Sequence, residues 1–206
     1  MEFKTEQESF WAGNFGNEYI ARNSTPELFA ANLALFARIL NETSKISSAI
    51  EFGANIGLNL RALRQLVPNI ELTGVEINSR AAAILRDWGG CEVRESSILD
   101  YEPMRTVDLA FTKGVLIHIN PAELPRVYDL LFGTSHRYVL MVEYYNPMPV
   151  EVVYRGEPGR LFKRDFAGEF LDRFSSTALL NYGFIYRRDN CFPQDDLTWF
   201  LIEKRT

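Results

Sequence analysis

Residues 47–60 read SSAIEFGANIGLNL, an apolar run that ends around an acid and then breaks into two glycines, Gly53 and Gly57, four positions apart. Ala49, Ile50 and Phe52 suit a buried strand. The two glycines let the backbone turn tightly and come close to a ligand, and Leu58–Leu66 carries helical periodicity. A strand–turn–helix crossing of this kind presents free helix amides at the end of a sheet strand, where open α/β folds hold their ligands. The stretch is a candidate cofactor cradle, with Glu51, Gly53, Ala54, Asn55 and Gly57 as its contacts.

Outward from this stretch, strands and helices alternate. Ile70–Ile77 is a second strand ending in Glu76 and Ile77. Asn78 or Ser79 caps a helix to Trp88, which Gly89-Gly90 closes. Glu92–Arg94, Val107–Thr112 and the nearly all-apolar Tyr138–Tyr144 are further strands, with a helix over Pro121–Leu131. Such alternation predicts an α/β fold with a mainly parallel sheet. Upstream, residues 5–22 carry Phe10, Trp11, Phe15, Tyr19 and Ile20 at helical spacing, interrupted around Gly13 and Gly16. This segment is expected to lie over a pocket, bringing Trp11 and Tyr19 to it. Thr25-Pro26-Glu27 starts a second helix. Downstream of Tyr145 the rhythm is lost in a long, proline- and glycine-broken loop to about Arg164. Phe166–Phe174 then reads as a helix, and Ala178–Tyr186 and Leu197–Glu203 as closing strands.

With 206 residues, 47% of them hydrophobic, the chain suits one domain: a helical cap at 1–45, a cofactor-binding core at 46–145, and a substrate loop with closing strands at 146–206. Lys and Arg number 22 against 27 Asp and Glu, a net charge of −5 that argues against a nucleic-acid partner. Two cysteines without a CxxC pair, and two histidines, indicate neither a disulfide framework nor a metal site. The amino terminus lacks the order of a signal peptide, and no apolar run approaches the roughly 20 residues of a membrane span. A cytoplasmic protein, monomer or homodimer, with a small-molecule substrate and no membrane partner is the expectation.

Spacing then narrows the ligand. The dinucleotide fingerprint G-x-G-x-x-G fails, since Asn55 and Leu58 stand where its later glycines belong. The pattern E-x-G-x-x-x-G (Glu51, Gly53, Gly57) instead resembles the first motif of class I S-adenosylmethionine-dependent methyltransferases, with Asn55 in place of a frequent glycine. Glu76, about 25 residues on at the next strand end, is placed to accept from both ribose hydroxyls. Thr112-Lys113-Gly114-Val115-Leu116-Ile117-His118-Ile119 resembles a further segment of the small-molecule methyltransferases. The resemblance implies a Rossmann-like fold with a seven-stranded sheet and helices on both faces. It also implies S-adenosyl-L-methionine as cofactor and S-adenosyl-L-homocysteine as product, seated also by Ile77, Lys113 and Trp11. One departure stands out: Ser97 occupies the place of the family's adenine-contacting acid, which leaves a hydroxyl or the Ile98 backbone for that contact.

His118 falls next to where the methyl group should be. A neutral imidazole there can accept a proton from an attacking hydroxyl or amine, or it can close a loop structurally. Tyr144 is the second candidate for catalysis. Tyr19, Glu143, Tyr144, Tyr154 and Asp195 are candidate acceptor contacts, and Arg155, Lys163 and Arg164 can fork onto a carboxylate or phosphate. The words FWAGNFGNEYIARN, EYYNPMPVEVVYRG, RLFKRDFAGE, NYGFIYRRD and FPQDDLTWFLIEK resemble the pseudaminic acid biosynthesis-associated methylases. That likeness implies methylation of an O or N of a nonulosonic acid or related sugar-like metabolite. Two other readings use the same fold: a non-catalytic cofactor-binding or partner-interaction module, and a methyltransferase acting on a macromolecule.

Overall fold

The structure of the chain, a computed structural model, describes residues 3–22 and 24–205. Met1, Glu2, Asn23 and Thr206, which fall in the expected first and last segments, lie outside the described residues. Helix α1 (Glu6–Ala12) begins with a capping box, in which the Thr5 hydroxyl accepts from Glu8 N–H and the Glu8 carboxylate accepts from Thr5 N–H. Helix α2 (Asn14–Arg22) follows after Gly13 alone. Gly16 does not break the chain as expected; it sits inside α2, where a Cβ would come within 1.9 Å of the Trp11 carbonyl oxygen. Its lack of a side chain lets α2 fold back onto α1. Helix α3 (Pro26–Leu40) starts at Thr25, whose side chain accepts from Leu28 N–H.

Strand β1 (Ser48–Phe52), helix α4 (Leu58–Leu66), strand β2 (Glu71–Glu76), helix α5 (Ser79–Trp88), strand β3 (Glu92–Glu95) and strand β4 (Val107–Lys113) complete the first half. Two short 3₁₀ turns, Leu116–His118 and Pro121–Glu123, lead into helix α6 (Leu124–Thr134) and strand β5 (Ser135–Glu143). The helix expected from Pro121 therefore starts a turn later, because the Asn120 side chain and Pro121 set up a separate turn first. After α7 (Phe166–Arg173), the last two strands of the large sheet are Thr177–Ile185 and Leu197–Lys204.

The segment read as a long loop is instead an antiparallel hairpin of β6 (Val150–Tyr154) and β7 (Glu157–Lys163). Its two-residue turn, Arg155-Gly156, has both φ values positive, 52° and 90°, the twist that tight hairpins favour. The prolines that hid it lie outside the β6 ladder or near the start of β7. With these two strands counted, Thr177–Ile185 is β8 and Leu197–Lys204 is β9, and the large sheet has seven strands in the order β3-β2-β1-β4-β5-β9-β8. The first five run parallel, while β9 lies antiparallel to both β5 and β8.

Side chains of successive strand residues point to opposite faces, so each face collects its own core. Ala49, Leu109, Phe111 and Leu140 pack with Phe36 and Ile39 of α3 and Leu60 and Leu63 of α4. Ile50, Phe52, Ala110 and Val139 pack with Val127 and Leu131 of α6 and Phe170 of α7. Strand order reverses at β1, which has β2 on one side and β4 on the other, so a crevice opens beyond the carboxyl ends of these strands. Among the described residues, no helix is long and apolar enough to cross a membrane.

Candidate functional site

The crevice is a cleft of about 190 Å³. At roughly 10–15 Å³ of such space per water, that is room for a small-molecule ligand and far more than a bound water needs. Its floor is the turn after β1. Gly53 and Ala54 donate their N–H groups to the Val75 carbonyl at 2.8 and 3.0 Å, which ties the turn to β2. Gly53 has φ 76°, and a Cβ there would stand 2.5 Å from a Val115 methyl, so only glycine fits. Glu76, at the tip of β2, accepts from Asn55 N–H and Asn78 N–H, each at 2.7 Å, one on each carboxylate oxygen. Burial pushes its carboxyl up from the usual range, while those amides pull it back down. The result is a fixed carboxylate with lone pairs left to accept from a ligand.

Most of the expected cofactor contacts share this cleft: Trp11, Gly53, Ala54, Asn55, Glu76 and Ile77 line it, as do Ser97, Ile98 and Lys113. Tyr19 and His118 line it as well. Glu51 and Gly57 stand behind the wall. Glu51 is buried and its Oε1 accepts from the Asn59 side chain at 2.5 Å; burial raises its carboxyl to about 8 against the pull of Asn59 and Lys113. Gly57 faces Leu85, whose methyl would lie 2.3 Å from a Cβ, so it serves helix packing. Lys113 is depressed by burial, with Glu51, Asp195 and Glu143 opposing.

Several polar atoms of the cleft residues are buried with no partner among the described residues: Oδ1 of Asn32, Asn55 and Asn59, Oε1 of Gln7, and Nε1 of Trp11. Glu51 Oε2, just behind, is in the same condition. Buried polar atoms are nearly always satisfied in folded proteins, so a concentration of acceptors here suits a ligand with amine and hydroxyl donors. Gln7, Asn32 and Asn59 were invisible as site residues in the sequence, because nothing local marks an amide that a distant strand end will face.

The 3₁₀ turn at Leu116–His118 brings His118 to the rim. Its Nδ1 lies 2.6 Å from the Arg160 carbonyl oxygen of β7, and its ring packs 4.6 Å from Trp11 and 5.0 Å from Tyr154. A neutral ring donating through Nδ1 carries its lone pair on Nε2. Burial lowers this imidazole to about 4 from 6.5. A folded-state value below the unfolded one means that stability is lost as pH falls through this range. Between pH 6.5 and 4 wild type is expected to lose about 3 kcal/mol more than His118→Gln, at 1.36 kcal/mol per pH unit, in paired urea titrations. The raised carboxyls of Glu51 and Glu143 act with opposite sign there but are common to both proteins, so the difference curve isolates the imidazole.

Two expected acceptor contacts are placed elsewhere. Glu143 is buried, and its carboxylate accepts from Val115 N–H at 3.0 and 3.1 Å, Leu116 N–H at 3.1 Å and Ile117 N–H at 3.5 Å. It holds the turn that carries His118 and has no free edge for a substrate. Arg164 is paired with Glu169 at 2.6 Å, and Glu169 also accepts from the Tyr128 hydroxyl, so that guanidinium belongs to the α6–α7 packing. Of the others, Tyr19 lines the cleft, whereas Tyr144, Tyr154, Arg155, Lys163 and Asp195 do not. Tyr144 is hydrogen-bonded to Asp195, and burial followed by that carboxylate pushes its phenol up. Tyr19 is raised to about 12 by burial, then by Tyr154 and Asp195. Lys163 Nζ lies 4.8 Å over the Tyr144 ring, and Arg155 lies over Tyr154 at 5.8 Å on the exposed hairpin turn.

Residues of the first two helices complete the wall. Gln7 Nε2 donates to the Gly159 carbonyl at 2.8 Å, and Lys4 pairs with Asp100 beyond β3, so α1 is fastened to the hairpin on one side and to the β3 loop on the other. Trp11, Phe15 and Tyr19 pack edge to face. Among the described residues, no cluster of three or more His, Cys, Asp and Glu side chains is arranged to hold a metal ion.

No protein-family model and no curated protein matches the sequence. Solved structures do. The magnesium protoporphyrin IX methyltransferase of Synechocystis PCC 6803 with bound SAH superposes with a TM-score of 0.70 at 10% identity, over 98% of this chain and 100% of that one. The plantazolicin methyltransferase BpumL in complex with SAH gives 0.68 at 12% identity, over 97% and 94%. The mitomycin 7-O-methyltransferase MmcR gives 0.69 at 13% identity over 97% of this chain, which spans 61% of that longer one. The chain thus has the fold of S-adenosylmethionine-dependent methyltransferases.

Proposed function

We propose that the protein is an S-adenosylmethionine-dependent methyltransferase acting on an oxygen or nitrogen of a small, anionic, sugar-like metabolite. The observation that carries this reading is Glu76, a carboxylate pinned by two backbone amides at the tip of β2 beside a turn nearly free of side chains. The unpartnered acceptors of Asn55, Asn59 and Glu51 fit the ammonium end of an amino-acid moiety, and Glu76 fits a ribose diol. Trp11, Ile77 and Ile98 form the apolar walls a nucleoside needs. The bound cofactor supplies an electrophilic methyl group on sulfur.

The chain's own residues hold and align. His118, lowered to about 4, stays neutral near pH 7 but is a weak base, so its role is to accept a hydrogen bond through Nε2 and orient the acceptor group. Alignment of the reacting atoms then accounts for most of the acceleration. Tyr144, raised by burial and Asp195, stays protonated with its one proton given to Asp195, which leaves its oxygen to accept. Lys113, Arg155 and Lys163 are the cations left for an anionic acceptor once Arg164 is committed to Glu169. The sugar-acid class comes from the resemblance to the pseudaminic acid-associated methylases.

The lack of an acid at position 97 is what favours a non-catalytic module. A carboxylate, that of Glu8, stands against Ser97 all the same. Titration calorimetry with S-adenosylhomocysteine, followed by turnover of labelled S-adenosylmethionine across a panel of sugar acids, neutral sugars and bulk RNA, tests the reading. Micromolar binding and turnover on sugar acids is the expected result; no binding of the nucleoside removes it.

A further inference from the structure

The loop after β3 lacks an acid of its own, yet a carboxylate reaches it from the other end of the chain. Ser97 is buried, its hydroxyl donates to Glu8 Oε1, and its oxygen accepts from Leu99 N–H at 2.9 Å. The one proton of that hydroxyl is therefore committed, and its remaining capacity is a single lone pair. Glu8 is 94% buried, at 6% exposure, and lines the same cleft as Ser97 and Ile98. Its Oε2 accepts from Lys4 N–H at 2.6 Å and Thr5 N–H at 2.8 Å, while among the described residues Oε1 accepts only from Ser97 and keeps a lone pair for a ligand.

We propose that Glu8 is the group that recognises the exocyclic amine of the cofactor's base, a contact supplied here by α1 and relayed through Ser97 to the β3 loop. The proposal rests on the cofactor reading above. The chemistry requires an acceptor at this edge. A serine hydroxyl whose proton points away offers a neutral oxygen already carrying one bond, whereas Oε1 offers a charged one, and hydrogen bonds to charged groups are about twice as strong. The capping box fixes the side chain in advance, since the two amides that it satisfies at the start of α1 hold Oε2 and turn Oε1 to Ser97. Lys4, pairing with Asp100 and donating to the Leu99 carbonyl at 3.4 Å, clamps the same loop. The base is thus read by a residue that is in place only when α1 is docked.

The test compares S-adenosylhomocysteine with its 6-deamino analogue, in which hydrogen replaces the amine, by titration calorimetry. Wild type is expected to prefer the amine-bearing ligand by about tenfold or more. In Glu8→Gln the amide oxygen stays on Lys4 and Thr5 N–H, so an NH₂ group faces Ser97 and the base, and the preference is expected to vanish. Ser97→Asp in that background returns a carboxylate to the loop and is expected to restore it. Equal affinity of wild type for the two ligands overturns the proposal without any variant. So does a Glu8→Gln protein, folded by its melting curve, that weakens both ligands equally, because Glu8 then only caps α1. If wild type binds neither ligand, the cofactor reading falls and takes this proposal with it; binding with an unchanged ratio removes the proposal alone.

Discussion

Glu76→Ala is expected to lower the affinity for S-adenosylhomocysteine by about 100-fold or more, measured by titration calorimetry. Two hydrogen bonds from ribose hydroxyls to a carboxylate are worth about 1.5–3 kcal/mol each, and every 1.4 kcal/mol is tenfold. The same substitution leaves Asn55 N–H and Asn78 N–H without the oxygens they now donate to at 2.7 Å, so the turn after β1 loosens as well. Glu76→Gln separates the two effects. It keeps one oxygen and the side-chain volume, and about a tenfold loss is expected. An Ala variant within threefold of wild type would remove Glu76 from the cofactor site and with it the principal support for the methyltransferase reading.

A second large effect is expected in stability. Glu143→Ala leaves the N–H groups of Val115, Leu116 and Ile117 without the carboxylate they donate to, at a side chain that is buried. Leaving buried donors unsatisfied costs about 1–3 kcal/mol each, so about 3–5 kcal/mol is expected for these amides, and about 2–4 °C of melting temperature goes with each kcal/mol in a domain of this size. A fall of roughly 6–20 °C in a thermal scan is the expected result. Had Glu143 been an acceptor contact, as its position after an apolar strand suggested, the variant would keep its melting temperature and raise KM for the acceptor. The two outcomes are opposite, so one scan and one kinetic series decide between them.

Local patterns placed the turn after β1 and the acid at the tip of β2. Gly53, Asn55 and Glu76 were legible because strand ends, tight turns and helix starts are written in short patterns: alternating apolar residues, a glycine where φ must be positive, a cap before a helix. The hairpin of β6 and β7 was missed for a local reason. Its apolar residues alternate over only five positions in Val150–Tyr154, Pro158 interrupts the second strand, and Arg155, a residue that seldom adopts positive φ, stands in the turn. Arg164 looked available to a substrate because no local pattern announces that Glu169, five positions on, turns toward it.

From its sequence alone this chain determines an alternating α/β order, the glycine turn after β1 and an acid at the tip of β2, since these depend on backbone geometry over a few neighbouring residues. Tertiary packing alone decides the rest. Glu8 meets Ser97 across a separation of 89 residues, and Glu143 bends back 26 to 28 residues onto the turn carrying His118. Which buried carboxylate faces a ligand and which holds the backbone depends on the elements stacked against it, and that stacking follows from the summed burial of both sheet faces, a quantity no short stretch of residues contains.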